Sequence, residues 1–182
     1  MFILLQNFQI FLSWRSSQND RKATEMRNHF IVRKGQINDL AELQKLFVDT
    51  ITTICASDYD NQQIEAWSSS VDNKQRWDEM ITKQFILVAQ DQNKIVGFAT
   101  LDNGNYFDFL YVHKDHQRQG IAQRLLDDIE AEARRLKQTV LTSDVSKTAM
   151  TFFDKNGFKT IEEQTNISQG IEIINYKMIK QL

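Results

Sequence analysis

The residues best suited to chemistry in this chain fall between Asp108 and Ala122, where a hydrophobic stretch passes through a polar, basic turn into an amphipathic run. The first N–H groups of a helix have no partners within it, and the aligned peptide dipoles favour a negative ligand there by about 0.3–1 kcal/mol. Gly120 stands at that helix start and removes a side chain from the approach, while Lys114, Arg118 and His116 bring positive charge nearby. Together these features describe a cradle for a phosphate or pyrophosphate. One glycine at a helix start is by itself equally a turn residue. The spacing also excludes two common phosphate loops, since the chain has neither G-x-x-x-x-G-K-[ST] nor a G-x-G-x-x-G after a strand. Nucleoside triphosphatase and dinucleotide oxidoreductase chemistry are therefore poor readings. His29, His113 and His116 lack the cysteine or carboxylate spacing of a metal site, so no metal is expected.

The elements that must position this loop follow from periodicity. Residues 29–33 read as a short strand, and Asn38 is placed to cap a helix whose Leu40, Leu43, Phe47, Ile51 and Ile54 keep the 3.6-residue period. Further helical pieces cover about residues 61–68 and 73–82. Apolar runs at 85–89, 95–101 and 105–113, separated by Asp91-Gln92-Asn93 and Asp102-Asn103-Gly104, predict an antiparallel meander. From Gly120 to about Lys137, Ile121, Leu125, Ile129, Ala133 and Leu136 form one stripe of a long helix. A strand over 139–143, a helix over 146–155 closed by Asn156-Gly157, and a strand pair over 158–164 and 171–179 complete the order. Such mixing predicts one α+β sheet of about seven strands rather than a regularly wound parallel one.

Composition narrows the class further. With 182 residues, 41% apolar content and a net charge of −2, the chain suits one globular domain and lacks the basic excess of a bulk nucleic-acid binder. A single cysteine, Cys55, forbids an intrachain disulfide and favours a reducing, cytoplasmic setting; it reads as a small buried apolar residue. Residues 1–12 are greasy, but Gln6, Asn7 and Gln9 interrupt them well short of the roughly 20 apolar residues that span a bilayer. No basic residue precedes that stretch, as a secretory signal would require. Residues 1–28 are thus expected to be an extension of the domain at 29–182. It is either upstream of a native start near Met26 or an amphipathic appendage packing on the domain or a membrane surface.

The run Gln117-Arg118-Gln119-Gly120-Ile121-Ala122 resembles the Q/R-x-x-G-x-G/A signature of the GNAT superfamily of acyl-CoA-dependent N-acetyltransferases. The ordered set from Ile31 through Val96-Gly97 to Asn156-Gly157-Phe158 is similar too. The resemblance implies a mixed α/β fold with a mostly antiparallel central sheet flanked by helices and a splayed parallel strand pair. It implies acetyl-CoA as cosubstrate, its pyrophosphate held by the amides of residues 119–122 within the loop Gln117, Arg118, Gln119, Gly120, Ile121 and Ala122. The pantetheine arm would bond backbone groups near Leu110 and Val112, with Ser146 and Phe153 also facing the coenzyme. An amide near Leu110 would stabilise the oxyanion as an amine attacks the thioester.

The attacking amine must be neutral, so a general base is expected. Asp108 is the candidate: strand alternation places it with Leu110 and Val112 on one face, and bases of the family often sit at this position. Tyr106, two residues upstream, is second, as a member of a water chain. The family's usual leaving-group acid is a tyrosine at the place of Phe153, and phenylalanine donates no proton. That departure keeps open a second reading, an acyl-CoA-binding sensor or interaction module with little turnover. On the acceptor side the helical stretch Tyr59 to Trp67 offers Tyr59 and Trp67 as pocket residues, with Asp58 and Asp60 placed to attract a cationic amine. The acceptor is expected to be a small-molecule or peptide amine, and exposed strand edges make a homodimer common in this fold.

Overall fold

The computed structural model describes residues 29–182. The expectations for residues 1–28 lie outside the described residues. Every described helix, and all of the described sheet but Ile31, lies within the unit Val32–Leu182. In chain order the elements are β1 (Ile31–Lys34), α1 (Leu40–Thr53), α2 (Asn61–Ser68), α3 (Lys74–Lys83), β2 (Phe85–Asp91), β3 (Lys94–Asp102) and β4 (Tyr106–Val112). After these come α4 (Ile121–Arg135), β5 (Val140–Ser146), α5 (Met150–Lys155), β6 (Lys159–Ser168) and β7 (Ile171–Gln181). The seven strands form one sheet in the order β1-β2-β3-β4-β5-β7-β6, with β4 and β5 parallel and the pairs β2–β3, β3–β4, β5–β7 and β6–β7 antiparallel. This is the mixed, mostly antiparallel sheet that the element order predicts. No described helix is long and apolar enough to cross a membrane.

Local chemistry sets most boundaries. Without proline, tight turns fall to residues that tolerate left-handed backbone: Gln92 and Asn93 join β2 to β3 with φ of 46° and 68°. Asp60 and Asn73 cap α2 and α3 by accepting the N–H groups of Gln63 and Arg76. Two expectations need correction. The approach to α1 is organised not by Asn38 but by Asp39, whose carboxylate accepts the Gln36 N–H at 2.7 Å and two bonds from the Arg33 guanidinium at 2.8 and 2.9 Å. Those donors hold the Asp39 carboxyl below the usual carboxylate range, the Arg33 bond being the largest cause. Likewise Ser146 ends β5 instead of opening a helix. Its carbonyl and hydroxyl both accept from the Ala149 N–H, a turn that competes with helix, so α5 begins only at Met150.

Two layers of helices hold the sheet. On one face α1 and α3 bury Leu43, Leu46, Phe47, Ile51, Trp77 and Met80 against Val88, Phe98 and Phe109. Within this core Phe47 meets Trp77 edge-on at 5.3 Å, and Phe109 lies 5.4 Å from Trp77 and 6.0 Å from Phe47. Aromatic pairs of this kind add about 0.5–1.5 kcal/mol each beyond their buried area. The other face receives α4, whose Ile121, Leu125, Leu126, Ile129 and Ala133 are buried. Gly97 lets the first turn of α4 settle there. A Cβ at position 97 would sit 2.9 Å from Ile121 Cγ2 and 3.2 Å from the Tyr111 carbonyl oxygen, tighter than packed atoms allow.

The feature that shapes the site is a bulge. Ala99 pairs with Leu110 but Leu101 with Phe107, so Thr100 on β3 faces two residues of β4, Asp108 and Phe109. The Phe109 N–H, displaced from the ladder, donates to the Thr100 hydroxyl at 3.2 Å, and Thr100 is fully buried. Thr100→Val keeps the shape but removes that acceptor. It is expected to lower unfolding free energy by about 1–3 kcal/mol, read by thermal or denaturant unfolding.

Candidate active site

The parallel strands β4 and β5 meet at one residue pair, Tyr106 with Thr142. Beside it the Thr142 N–H donates to the Asn105 carbonyl at 2.9 Å, and the Ser143 hydroxyl donates to the Phe107 carbonyl at 2.7 Å. Beyond this junction the strands part. A cavity of about 530 Å³ opens between residues 108–112 and 143–146. The N–H groups of Phe109 and His113 both turn towards β3, so strand alternation directs those of Leu110 and Val112 into the gap. The Val112 carbonyl is already occupied, accepting from the Gln117 side chain at 2.6 Å and the Thr50 hydroxyl at 3.5 Å.

The cavity is walled from both sides of the sheet, by Thr50, Ile54, Cys55 and Trp67 of the α1–α2 side and by Gly120, Ile121 and Phe153 of the α4–α5 side. It therefore passes through the sheet. At its α4 end, Gly120 takes φ 83° and ψ 0° and opens the helix with no side chain capping the first amides. An added Cβ at Gly120 would meet no protein atom within 4 Å, so the glycine serves the left-handed backbone and faces open space. Arg118 is also left-handed, with φ 62°. Arg118, Gly120, Ile121, Ala122 and Gln117 line the cavity; Gln119 instead returns its side chain to the Asp115 carbonyl at 3.2 Å. Uncapped helix amides beside basic side chains and a strand edge with free N–H groups suit a long ligand carrying phosphates at one end and amides along its length.

At the far end the bulge changes which residues share a face. Asp108 does not lie with Leu110 and Val112. The extra residue turns it to the α3 side together with Phe109 and Tyr111, while Val112 and Gly97 face Ile121. There the Asp108 side chain, 4% exposed, accepts from the Arg76 guanidinium at 2.7 Å and from the Gln84 amide at 2.8 Å, yet still lines the cavity. Tyr106 lies off the lining and donates its hydroxyl to Asp144 at 3.1 Å. Burial, then the neighbouring carboxylates of Asp144 and Asp108, push this phenol well above its ordinary value, so it stays protonated and acts as a donor.

The acceptor-side residues are rearranged relative to expectation. Trp67 lines the cavity and Tyr59 does not. The Tyr59 hydroxyl donates to the Ile174 carbonyl and accepts the Lys147 N–H, both at 2.9 Å, tying the turn before α2 to β7 and to the loop after β5. Asp60 is spent on its cap and Asp58 accepts the Thr148 hydroxyl at 2.8 Å. Ser146 and Phe153 line the cavity, the latter packed 5.6 Å from Phe107 and 4.9 Å from Phe158. Three lining or supporting residues escape sequence reasoning: Tyr111, Asp144 and the Arg76 that holds Asp108. Tyr111 follows Leu110 in an apparently apolar run and stands on the opposite face with Phe109, and the bulge turns Asp108 to join them.

The chain belongs to the GNAT acetyltransferase family: residues 55–180 match the family described as "Acetyltransferase (GNAT) domain". Among individual proteins it is 32% identical over 152 residues to the Escherichia coli K12 protein named "Uncharacterized N-acetyltransferase YafP", covering 83% of this chain and 95% of that one. A solved GCN5-related N-acetyltransferase from Rhodopseudomonas palustris is also 32% identical, with a TM-score of 0.80 over 84% of this chain and 95% of its own. PaiA N-acetyltransferase from Thermoplasma acidophilum, solved in complex with coenzyme A, shares the fold at 21% identity, with a TM-score of 0.69 over 84% of this chain and 99% of its own.

Cys55 bears on how this cavity responds to pH. Burial pushes its thiol up to about 11 from 9.0, against a bond from Thr148 that lowers it. The folded protein holds this proton to higher pH than the unfolded chain does. The associated stability is therefore complete below about pH 9 and is lost as pH rises through 11, a loss of about 2–3 kcal/mol. Unfolding of wild type and Cys55→Ala compared from pH 8 to 11 is expected to show the smaller fall in the variant.

Proposed function

We propose that this protein transfers the acetyl group of acetyl-CoA to a primary amine by direct attack within a ternary complex. The observation that carries the reading is the continuity of the cavity, from the uncapped start of α4, through the parting of β4 and β5, to Asp108 on the opposite face. The coenzyme's pyrophosphate would lie against the amides at Gly120, Ile121 and Ala122, with Arg118 beside it. The pantetheine arm would take the place of the missing strand contact and bond Leu110 and Val112. Gln117 contributes by holding the Val112 carbonyl, which fixes the loop to the end of β4. Gln119 contributes its backbone, since its side chain is engaged elsewhere.

The amine enters from the α1–α2 side as an ammonium and gives its proton to Asp108, directly or through water held near Tyr106. The neutral nitrogen attacks the thioester carbonyl, the oxygen takes the negative charge, and the Leu110 N–H stabilises it. Removing such a donor elsewhere costs about 2.7–4 kcal/mol. The tetrahedral adduct then expels the coenzyme as a thiolate, and the excess proton on the attacking nitrogen passes through water to that sulfur, giving the amide and the free thiol. A thiol ionises near pH 8.5, far below an amine or alcohol, so expulsion makes only a mild demand for an acid. Phe153 at the usual tyrosine position is compatible with turnover on that ground. The same residue favours the second reading, a module that holds acyl-CoA without releasing it.

Mixing the protein with acetyl-CoA and amines and following thiol release separates the two. Release above the hydrolysis background is expected; tight binding with none across a broad panel supports the module. Gly120→Ala forces a Cβ into left-handed backbone, and a CoA affinity about tenfold weaker is expected by calorimetry. Phe153→Tyr supplies a phenol to the cavity, and a severalfold rise in kcat at unchanged KM for acetyl-CoA is expected.

A further inference from the structure

The acceptor end of the cavity has a composition of its own. Its walls are Ile54, Trp67, Phe109 and Tyr111, apolar or aromatic along nearly all their contact surface. Its charges are two carboxylates, Asp108 and Asp144, both on the lining. The cation paired with Asp108, Arg76, is already committed, bonded to it at 2.7 Å and lying over the Phe109 ring at 5.0 Å. The arginine and lysine side chains on the lining, Arg118 and Lys155, belong to the loop before α4 and to α5, on the coenzyme side. Behind Asp108 the Gln84 amide spends its N–H on the carboxylate and leaves its own oxygen buried without a partner. The end of the pocket thus carries more carboxylate than guanidinium.

We infer that the acceptor is a primary monoamine on a flat apolar body, in chemical class an arylalkylamine, an inference that rests on amine acetylation as the reaction. One ammonium satisfies the surplus of carboxylate over guanidinium, and a planar hydrophobic body packs against the rings of Trp67 and Tyr111 that line the cavity. A polyamine would bring two or more further ammonium groups where the carboxylates leave room for one, and the ring faces that met the rest would return only part of the hydration lost. An α-amino acid would bring its own carboxylate towards Asp108 and Asp144, where Arg76 is already paired with Asp108, and like charges at close range are disfavoured. Specificity therefore comes as much from rejection as from fit.

The test compares kcat/KM for 2-phenylethylamine, L-phenylalanine and spermidine, read as thiol release from acetyl-CoA. 2-Phenylethylamine and L-phenylalanine share a ring and differ by the carboxylate. A preference of at least about tenfold for 2-phenylethylamine over both others is expected, the discrimination worth about 1.4 kcal/mol. Trp67→Leu is expected to raise KM for 2-phenylethylamine while the calorimetric affinity for CoA stays unchanged, which also reports that the variant is folded. Asp144→Asn is expected to narrow the gap between 2-phenylethylamine and L-phenylalanine. Equal or better use of spermidine or L-phenylalanine overturns this inference and leaves acetyl transfer standing, as does an unchanged KM in Trp67→Leu. Bound acetyl-CoA with no release to any of the three, nor to a broad amine panel, overturns the transferase reading itself.

Discussion

A parallel strand pair that touches at one point governs this structure. Parallel neighbours normally zip along their length, because every unpaired N–H and C=O in a sheet interior carries a desolvation penalty. Here β4 and β5 join at Tyr106–Thr142 and then separate, leaving the Leu110 and Val112 amides directed into a cavity. The separation is held open from both sides. The bulge opposite Thr100 bends β4 and is locked by the Phe109 bond, while the Ser143 hydroxyl closes the junction below. Strand edges left unsatisfied inside a fold invite a ligand that can satisfy them.

The two ends of this opening are electrostatically distinct for different reasons. At α4 the positive character comes from backbone, from amides that no side chain caps and a glycine whose conformation keeps them accessible. At the opposite end it is side chains that matter: Asp108 is almost wholly buried, yet is sustained in place by Arg76 and Gln84. A buried carboxylate without such partners would be costly to the fold. The aromatic cluster of Phe47, Trp77 and Phe109 ties α1 and α3 to β4 and so fixes the frame in which that carboxylate stands. Packing on one face of the sheet and the placement of the Asp108 carboxylate on the same face are therefore mechanically linked.

Burial also decides which polar groups near the cavity remain inert. Cys55 and Tyr59 both have raised ionisation, to about 11 and about 12, with desolvation the largest cause in each. Neither is charged near neutrality. Tyr59 works instead as a brace, linking α2's entry to β7 and to the residue after β5, so the acceptor wall carrying Trp67 is braced against the far half of the sheet.

Much of this was legible in the residues alone, because periodicity reports which face of an element is buried. The stripe from Ile121 to Ala133, the three runs of the meander and the glycine that opens the helix at 120 all follow from spacing and elementary helix physics. What spacing leaves undecided is anything that depends on a change of phase. Alternation puts Asp108 beside Leu110 and Val112, and one extra residue against Thr100 puts it beside Arg76 instead, on the face that Phe109 and Tyr111 share. The partner that forces that change is on another strand, and the guanidinium that receives the carboxylate is on a helix 32 residues earlier. Local sequence thus determined the elements and the uncapped glycine turn before α4, whereas the side of the sheet on which Asp108 stands was decided by tertiary register, since a bulge is a relation between two strands and is written in neither alone.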